Sequence, residues 1–490
     1  MKSTLIGIFT LAGLATGAVA QDCDPGEILG ASVDIPTGIE PASIAVGDLD
    51  GDVIMDLVTG NIWSNSISVL FGDGAGGFDG RVDYRTGQLP RDVAIGDFDG
   101  DGSADIVSTA ASSTFVSVFF NSGDGTFAAP AELPTGADSR FVLTADLDAD
   151  GNDDILVADS NGMSVLMSNG DGTFQDGVAL SVGGLVWSFA VDDFNGDETL
   201  DLAVANNSDD TIHLLLGNGD GTFVPAASDL PTGPSPRSVA SADVNNDGIA
   251  DLAVANWDGD SVSVFIGTGG GVFAPREDYS TGERPIFVAI EDLTGDGRPD
   301  LLVANLGADS VTVQPGSASG FFGPRQDLPL GWRSVVFGAG DFNGNGNIDL
   351  AIPSLDGNFV SVFTGCGDGL PPSIEAQPVS AVRDAGESMQ FSVHASGSAP
   401  LSYQWYRDGE PLDDTGNISG AGTDSLSVTG AGIEDAGVYD VVVSNDAGDI
   451  ASDPAVLGVR ITCRADLNND GAVNFFDISA YLQLFNAGCP

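Results

Sequence analysis

A short acidic loop recurs seven times along the chain at an almost constant interval. Its first copy reads Asp48-Leu-Asp50-Gly-Asp52-Val-Ile-Met-Asp56. The later copies begin at Asp97, Asp146, Asp193, Asp243, Asp292 and Asp341. The steps between them are 49, 49, 47, 50, 49 and 49 residues. A period of this size indicates a repeat architecture, in which each unit buries its apolar face only against its neighbours.

The second repeat shows the internal order that the copies share. It contains apolar segments at residues 93–96, 105–109 and 116–120, a turn at 123–127 and an extended piece that ends near Gly136. Short segments bounded by Gly, Asn and Asp turns predict four β-strands per repeat. Such strands fit a β-propeller with one four-stranded sheet per blade. Seven loops therefore predict an all-β, seven-bladed propeller over residues 22–370.

The two ends of the repeat region predict how the ring closes. The last repeat lacks an outer strand after residues 360–363, whereas a matching piece stands at residues 33–38. We expect this piece to complete the seventh sheet and to bring Cys23 close to Cys366. The remaining cysteines, Cys463 and Cys489, form the second predicted disulfide. Zinc is not expected, because the chain has no CxxC pair and only two histidines.

Oxygen-bearing side chains at positions 1, 3, 5 and 9 of the acidic loop suit a hard divalent cation, above all Ca²⁺. The predicted ligands of loops 1 to 7 are Asp48, Asp50, Asp52 and Asp56; Asp97, Asp99, Asp101 and Asp105; Asp146, Asp148, Asp150 and Asp154; Asp193, Asn195, Asp197 and Asp201; Asp243, Asn245, Asp247 and Asp251; Asp292, Thr294, Asp296 and Asp300; Asp341, Asn343, Asn345 and Asp349. Val53 and Glu198 replace the glycine at position 6, so we expect their loops to bend differently. Loop 7 has only two carboxylates and should bind a cation most weakly, because affinity follows ligand charge.

The repeats resemble the FG-GAP/VCBS family, the propeller type also found in integrin α-subunits. The resemblance rests on the Asp-x-Asp-x-Asp loops, on following strands such as Asp201-Leu-Ala-Val-Ala-Asn206, and on the Gly-Asp-Gly-Thr-Phe turns. It covers roughly residues 22–370. It implies that the acidic loop joins the two innermost strands of each sheet and holds Ca²⁺.

Residues 372–459 lack the repeat and resemble an immunoglobulin domain of the I-set kind. The matching features are the sequences Tyr-Gln-Trp405-Tyr-Arg and Asp-Ala-Gly-Val-Tyr439-Asp-Val. The resemblance implies a β-sandwich in which Trp405 is the core tryptophan and Tyr439 forms the tyrosine corner. Val393 and Val441 stand where the usual inter-sheet cysteines would be.

Residues 461–490 contain a calcium loop of the EF-hand type followed by a helix-like stretch, which together predict a small α-helical module. The predicted ligands are Asp466, Asn468, Asp470, Ala472, Asn474 and Asp477. Asp477 stands where an EF-hand has glutamate, and in this the module resembles a dockerin. Dockerins generally carry two such repeats, and one is visible here. The resemblance implies docking or surface retention through a cohesin-like or cell-surface partner.

The net charge limits the classes of partner, and the N-terminal sequence predicts where the protein is located. The chain carries 72 acidic and 15 basic residues, a net charge of −57, which opposes binding to nucleic acid and to anionic lipid. Residues 1–20 predict a signal peptide that is cleaved after Ala20, with Lys2 at its start and an apolar run behind it. No later stretch is long and apolar enough to span a membrane, so we expect a secreted or cell-surface protein.

Arginines and tryptophans cluster at one expected rim of the propeller, opposite the acidic loops. Arg91, Arg140 and Arg237 stand six residues before the first loop aspartate, and Arg284 and Arg333 stand eight before it. Trp63, Trp187, Trp257 and Trp332 fall near the same rim. Exposed Trp and Arg are typical of binding hot spots, and Trp faces also suit sugars. The alternative is that these residues plug the channel mouth or pair with local acids.

No set of residues predicts catalysis. His213 and His394 lie in strand-like segments, and the sequence contains no Walker loop or GxSxG elbow. The favoured function is therefore non-enzymatic, calcium-dependent adhesion or recognition of an extracellular protein or carbohydrate. The alternative is a carbohydrate-active enzyme similar to a polysaccharide lyase. Such an enzyme would need a base, and the mature chain contains no lysine.

Overall fold

The computed structural model of the chain describes residues 28–160, 162–317, 320–366, 372–397, 401–445 and 448–460. The chain divides into two compact units, Met1–Leu370 and Pro371–Pro490. The signal peptide, the calcium loop of residues 461–490, and Cys23, Cys463 and Cys489 are predictions that lie outside the described residues. Within the described part of the chain, no helix is long and apolar enough to cross a membrane.

The first unit is built from short β-strands. In chain order they are β1 (Leu29–Pro36), β2 (Pro41–Gly47), β3 (Asp56–Asn61), β4 (Ser66–Gly72), β5 (Phe78–Arg85), β6 (Val93–Gly96), β7 (Asp105–Ser108), β8 (Phe115–Phe119), β9 (Ala131–Pro134), β10 (Phe141–Ala145), β11 (Asp154–Asp159), β12 (Gly162–Leu166), β13 (Val178–Leu180), β14 (Val186–Asp192), β15 (Asp201–Asn206), β16 (Thr211–Gly217), β17 (Phe223–Pro225), β18 (Leu230–Pro231), β19 (Pro236–Ala242), β20 (Asp251–Asn256), β21 (Ser261–Phe265), β22 (Glu277–Ser280), β23 (Pro285–Glu291), β24 (Asp300–Asn305), β25 (Ser310–Gln314), β26 (Gln326–Pro329), β27 (Gly338–Gly340), β28 (Asp349–Ser354) and β29 (Phe359–Gly365).

These strands form seven antiparallel sheets, and the first six follow the chain from strand to strand. Sheets 1 to 6 have the orders β2-β3-β4-β5, β6-β7-β8-β9, β10-β11-β12-β13, β14-β15-β16-β17, β19-β20-β21-β22 and β23-β24-β25-β26, and β18 also pairs with β16. Sheet 7 has the order β27-β28-β29-β1. The N-terminal strand completes this sheet, as predicted, with Val33 opposite Val362. Cys366, directly after β29, is disulfide-bonded, and its pairing with Cys23 stays a prediction.

The second strand of every sheet is buried along its whole length. These strands start with the last aspartate of the acidic loop and continue with apolar residues, as in the Asp-Leu-Ala-Val-Ala-Asn sequence of β15 and β20. A strand that is apolar on both faces needs a cover on both faces. Neighbouring sheets supply that cover, so β3, β7, β11, β15, β20, β24 and β28 have no exposed residue.

Seven apolar clusters fill the spaces between successive sheets. Val58 of sheet 1 and Phe119 of sheet 2 share one cluster, and five further clusters join sheets 2 to 7 in order. The last cluster joins sheet 7 to sheet 1, with Phe342 and Val362 on one side and Leu70 on the other. The sheets therefore pack as a closed series, which is a propeller-like arrangement.

Side chains on the first strands link neighbouring sheets directly. In sheets 2, 4 and 5, the side chain of the residue five before the loop aspartate accepts a hydrogen bond from a backbone N–H of the next sheet's first strand. These bonds run from Val142 N to Asp92 Oδ2 (2.9 Å), from Val239 N to Ser188 Oγ (3.3 Å) and from Val288 N to Ser238 Oγ (3.2 Å). Where the residue is aromatic, the contact is a T-shaped ring pair. These pairs are Phe141–Phe189 and Phe287–Phe337, with centroids 5.0 and 5.1 Å apart.

Three arginines on fourth strands, or next to them, link the outer edges of the sheets. Each pairs with the aspartate two residues further on and also donates to a backbone carbonyl of the preceding sheet. The three are Arg81, Arg276 and Arg325, and their carbonyl acceptors are those of Thr37, Pro231 and Thr281. Because both partners of each arginine belong to the sheets themselves, we assign these three arginines a structural role.

The second unit is an immunoglobulin-like sandwich. Its strands are β30 (Ser373–Ala376), β31 (Ala381–Asp384), β32 (Met389–Ser392), β33 (His394–Ser396), β34 (Ser402–Arg407), β35 (Glu410–Pro411), β36 (Ile418–Ser419), β37 (Ser425–Val428), β38 (Gly437–Asn445), β39 (Gly448–Ala451) and β40 (Ala455–Arg460), with one 3₁₀ turn at Ile433–Asp435. One sheet has the order β31-β40-β38-β34-β35, with β39 on β38, and the other has the order β32-β37-β36. β30 pairs separately with β33.

The core of the sandwich is aromatic and contains the residues that the sequence singled out. Trp405 is fully buried, and its Nε1 donates to the carbonyl of Thr423 at 2.8 Å. The buried Tyr439 hydroxyl donates to the carbonyl of Asp435 at 2.8 Å, which is the predicted tyrosine corner. The two valines that replace the inter-sheet cysteines, Val393 and Val441, belong to the same core. Apolar packing thus fills the place of the usual disulfide.

Candidate calcium loops and the arginine–tryptophan row

Each acidic loop connects the first and second strands of its sheet and is shaped by its own first aspartate. In loop 1, Asp48 accepts hydrogen bonds from the backbone N–H groups of Gly51 (2.8 Å) and Val53 (3.0 Å). The bond from position 6 to position 1 is present in all seven loops, at 2.6–3.0 Å. Its donors are Val53, Gly102, Gly151, Glu198, Gly248, Gly297 and Gly346.

The expectation that loops 1 and 4 bend differently is wrong. Val53 and Glu198 adopt φ angles of 73° and 69°, close to the 86° of Gly102 and the 84° of Gly248 at the same position. Residues with a Cβ rarely adopt this left-handed conformation, and a branched residue is strained there. The shared shape persists because the first aspartate of the loop holds the N–H of position 6 whichever residue carries it.

The last aspartate of each loop is buried and accepts bonds from two backbone N–H groups. For Asp56 the donors are Leu49 in the loop and Gly72 at the end of β4, both at 2.8 Å. The seven residues are Asp56, Asp105, Asp154, Asp201, Asp251, Asp300 and Asp349, each at most 1% exposed. Burial raises the pKa of Asp105, Asp154 and Asp300 to about 7 and that of the other four to about 6.

In loops 1 to 3, three aspartates bring their carboxylate oxygens together. One oxygen from each residue lies within 4.8 Å of the others in the groups Asp48–Asp50–Asp56, Asp97–Asp99–Asp101 and Asp146–Asp148–Asp154. Desolvation, followed by repulsion from the adjacent aspartates, raises the pKa of the position-3 carboxyls, those of Asp50, Asp99 and Asp148. A divalent cation would offset both effects, because it supplies the missing positive charge. The residues present therefore fit Ca²⁺.

Loops 4, 5 and 7 place an amide where loops 1 to 3 have a carboxylate, and in loops 4 and 7 that amide contacts the last aspartate. The Nδ2 groups of Asn195 and Asn343 donate to the last loop aspartates, Asp201 at 3.4 Å and Asp349 at 3.3 Å. In these two loops the amide nitrogen therefore supplies a hydrogen-bond donor to the buried carboxylate. Rotation of the amide would present its oxygen as a ligand instead.

Loop 6 contains a positive charge of its own. Arg298, at loop position 7, has its guanidinium 3.7 Å from the carboxylate of Asp296, and the two side chains are 16% and 2% exposed. Burial raises the pKa of Asp292, and Arg298 acts in the opposite direction. Arg298 thus provides part of the charge compensation that Ca²⁺ would provide elsewhere. The sequence contained a signal for this charge compensation, because loop 6 is the one acidic loop with a basic residue at position 7.

A turn of the following sheet supports several of the acidic loops, a contact that sequence reasoning missed. Asn121 Nδ2 in sheet 2 donates to the carbonyl of Leu49 in loop 1 at 2.7 Å. Equivalent bonds run from Ser168 Oγ to the carbonyl of Phe98 (2.7 Å), from Gly271 N to that of Phe194 (2.9 Å) and from Gly76 N to that of Phe342 (3.1 Å). The last bond connects sheet 1 to loop 7. The Gly-Asp-Gly turns recur at a fixed spacing from the acidic loops, and this regularity was the sequence signal for a contact between them.

Five rim side chains form a row of cation–π contacts, which we call the Arg–Trp row: Arg140, Trp187, Arg237, Trp257 and Arg284. The guanidinium carbons of Arg140 and Arg237 lie 5.4 and 3.8 Å from the ring centroid of Trp187. Those of Arg237 and Arg284 lie 4.9 and 5.7 Å from that of Trp257. The row extends over sheets 3 to 6. It stands at the start of the first strands, whereas the acidic loops follow their ends.

The other candidate rim residues do not join the row. Trp63 is 62% exposed, and its Nε1 donates to Glu40. Trp332 packs edge-on against Phe359 with centroids 5.3 Å apart. Arg91 is exposed and has no ion pair among the described residues. Arg333, which the sequence also places near this rim, pairs with Asp356 at 2.7 Å.

His213 occupies a structural position of the repeat. Its Nε2 lies 3.1 Å from both Asn206 Nδ2 and Asp209 Oδ2. In sheets 1, 5 and 6 the same asparagine instead contacts a serine or threonine hydroxyl; these pairs are Asn61–Ser68, Asn256–Ser263 and Asn305–Thr312. His213 therefore replaces a hydroxyl in a recurrent strand-to-strand contact.

The sequence also matches known families. The FG-GAP-like repeat family matches six overlapping stretches, residues 48–108, 97–157, 146–204, 193–254, 243–303 and 292–352. These stretches together span more than half of the 490 residues. An immunoglobulin domain family matches residues 371–445.

Among individual proteins, the muscle M-line assembly protein unc-89 of Caenorhabditis elegans is 37% identical over 91 residues, which are 18% of this chain. The chain spans about 1% of the length of that curated relative. The titin M3 domain is 32% identical and covers 19% of this chain and 98% of its own, with a TM-score of 0.17. An Agrocybe aegerita lectin, described as recognising non-reducing terminal N-acetylglucosamine, is 21% identical and covers 66% of this chain and 88% of its own, with a TM-score of 0.42. By the six repeat matches, this chain belongs to the FG-GAP-like repeat family.

Proposed function

We propose that the protein is an exported, calcium-binding recognition protein that acts by binding rather than by catalysis. Its seven sheets are the blades of a closed seven-bladed β-propeller, and the acidic loops hold Ca²⁺ at one end of the blades. The observation that carries the proposal is the convergence of three aspartates in each of loops 1 to 3. Buried, mutually repelling carboxylates favour a bound cation, because the cation removes both penalties.

The ligand, an extracellular carbohydrate or protein, binds at the rim that carries the Arg–Trp row. This rim is separate from the calcium loops, which lie at the other end of the first strands. Calcium therefore acts on binding indirectly, because it keeps the sheets and their connecting segments in place. Arginine and tryptophan at such a surface favour recognition, since both give a large contact area and directional donors.

The two ends of the chain have supporting roles in this proposal. The loop that begins at Asp466 binds a further Ca²⁺ and docks the protein to a cohesin-like or cell-surface partner. Disulfides Cys23–Cys366 and Cys463–Cys489 close the propeller and the C-terminal module. Disulfides of this kind suit an exported protein, because they persist in an oxidising compartment.

Metal content and ligand arrays test the proposal together. The purified mature protein is dialysed against calcium-free buffer and assayed for bound metal, and then screened on glycan and extracellular-matrix arrays with calcium and with EDTA. We expect several Ca²⁺ per chain and a ligand whose binding requires calcium. The variants Trp63→Ala and Trp257→Ala locate the binding surface. A protein that holds no calcium and binds no array component would contradict the proposal.

A further inference from the structure

We infer that the Arg–Trp row is a subsite for a carboxylate-bearing polysaccharide, a polymer of uronic acids, with Arg237 as its central contact. This inference rests on the proposed recognition function and names the class of ligand. The juxtaposition that carries it is a guanidinium between two indole rings, flanked by two further guanidinium groups, on an otherwise strongly acidic chain.

Arg237 is the central member of the row, because its guanidinium contacts both indole rings. Its guanidinium lies 3.8 Å from the centroid of Trp187 and 4.9 Å from that of Trp257. Within the described part of the chain it makes no ion pair, and its buried Nε has no hydrogen-bond partner. By contrast, Arg81, Arg276 and Arg325 of the outer edges each pair with an aspartate. The indoles hold the Arg237 guanidinium in place and leave its terminal nitrogens to a ligand.

Further unused donors lie beside Arg237. Trp187 Nε1 and Arg140 Nη1 are buried and lack a partner among the described residues. Arginine and tryptophan side chains offer donors and no acceptors. The nearby acids have hydrogen-bond partners of their own, and Asp258 also interacts electrostatically with Arg237 without forming an ion pair. Asp138 pairs with Arg140 through Nη2, Asp258 accepts from the Ser235 hydroxyl, and Asp260 accepts from the backbone N–H of Arg284 at 2.8 Å. A surplus of donors without acceptors favours an anionic ligand.

Carboxylate is the favoured anion, and a stiff polymer is the favoured carrier. The planar guanidinium matches a carboxylate with two parallel hydrogen bonds. Both indoles of the row already have guanidinium groups over their rings, so stacking of a neutral sugar is a weaker alternative there. Because the guanidinium groups are fixed by the indoles, a ligand must present its carboxylates in a fixed order. A stiff uronic acid chain loses less conformational entropy in doing so than a flexible acidic peptide.

The net charge of −57 makes the inference specific. The field of the whole chain repels polyanions, so a polyanion can bind only where short-range contacts outweigh that repulsion. Of the chain's arginines, three are in the row. A polyanion should therefore bind at the row in preference to single exposed arginines such as Arg85 and Arg91.

Polygalacturonate, poly-L-glutamate and the neutral polymer dextran are the probes, titrated into the calcium-loaded full chain by calorimetry. We expect polygalacturonate to bind and dextran not to bind. Arg237→Gln should weaken polygalacturonate binding by about tenfold or more, since it removes a charge-assisted contact. Arg284→Gln, at an exposed position, should weaken it by a smaller factor. The matched control is Arg85→Gln. It removes the same charge from an exposed outer-strand arginine that lies outside the row and has no ion pair among the described residues.

The possible outcomes separate this inference from the proposed function. An array ligand whose affinity is unchanged by both Arg237→Gln and Arg284→Gln, in variants with unaltered melting temperatures, overturns the polyuronate subsite and leaves the recognition function standing. Equal affinity for poly-L-glutamate and polygalacturonate overturns the choice of polymer. Equal loss in Arg85→Gln shows a general charge effect and also overturns the subsite. Absence of any ligand on the arrays overturns both proposals.

Discussion

Backbone strain at Val53 and Glu198 is the clearest feature at the scale of single residues. Both stand at loop position 6 with φ near 70°, where the other loops have glycine. A residue with a Cβ in this conformation costs about 1 kcal/mol or more. The bonds that the first aspartates accept from these residues keep the loop in one shape. The conformational preferences of valine and glutamate alone therefore predicted the wrong shape for loops 1 and 4.

Replacing Val53 with glycine should stabilise the calcium-free protein. We expect Val53→Gly to raise the free energy of unfolding of the repeat unit by about 1 kcal/mol, because it removes strain, although glycine also adds entropy to the unfolded chain. Denaturant titration in EDTA measures the effect. The reciprocal variant, Gly102→Val in loop 2, should lower the free energy of unfolding. A destabilised Val53→Gly protein would show that the valine side chain contributes packing that outweighs its strain.

The ion pair in loop 6 gives a second prediction for a single side chain. Because Arg298 lies 3.7 Å from Asp296, it competes with a cation for the same negative charge. We expect Arg298→Gln to strengthen calcium binding at loop 6 and to leave loops 1 to 3 unchanged. Calorimetric titration of calcium into the variant and the parent protein measures the difference. Identical titration curves would mean that the guanidinium does not compete.

Coupling between neighbouring repeats belongs to the scale of strands, loops and turns. The side chain of Asn121 leaves its own sheet and donates to the carbonyl of Leu49 in the acidic loop of the preceding sheet. Asn121→Ala should therefore leave the carbonyl of Leu49 unpaired and expose residues 48–56 of loop 1. The expected loss of unfolding free energy is about 1–3 kcal/mol. Hydrogen exchange read by mass spectrometry should show faster exchange in that loop. Faster exchange only within residues 97–105 would contradict the coupling between sheets.

The contact between sheets 2 and 3 through Asp92 predicts a dependence on pH. The half-buried Asp92 accepts from Val142 N at 2.9 Å, and desolvation raises its pKa to about 7. The folded state therefore holds a proton that the unfolded state releases near pH 4. The stability from Asp92 is complete below about pH 4 and is lost as pH rises through 7.

Asp92→Asn should remove this dependence. Relative to the variant, the parent protein should lose roughly 2 kcal/mol of unfolding free energy between pH 5 and pH 8. Unfolding is measured in saturating calcium at each pH, so that the acidic loops contribute equally to both proteins. As a control, Ser188→Ala changes the equivalent contact between sheets 4 and 5 without a titratable group. A constant difference between parent and Asp92→Asn proteins across this range would show that Asp92 does not titrate.

Features that depend on local spacing were predictable from the sequence, and those that depend on the placement of sheets were not. The repeat period, the strand order and the completion of sheet 7 by β1 follow from turns and alternating apolar segments. The aspartates of the loops follow from their spacing. The stacking of Arg237 between Trp187 and Trp257 depends on three-dimensional distances between sheets that no local pattern contains. The same holds for the bond from Asn121 to the preceding loop.

At the scale of the whole molecule, calcium and ring closure should act on one cooperative unit. The acidic loops lie in all seven sheets, and the turns of neighbouring sheets support several of them. The clusters continue from sheet 7 back to sheet 1. Loosening one loop therefore weakens a contact with the next sheet as well. The immunoglobulin-like unit has a separate core around Trp405 and Tyr439.

Removal of calcium should therefore lower the melting temperature of the repeat unit and leave that of the immunoglobulin-like unit unchanged. A cation at 100 times its Kd adds about 2.7 kcal/mol per site to a folded state that alone binds it, so several sites together should shift the repeat transition by many degrees. Calorimetric scans of the full chain in calcium and in EDTA measure the shift. Val441→Ala, which creates a cavity in the sandwich core, identifies the second transition. If EDTA moved both transitions equally or moved neither, the loops would not be the calcium-dependent connection between the sheets.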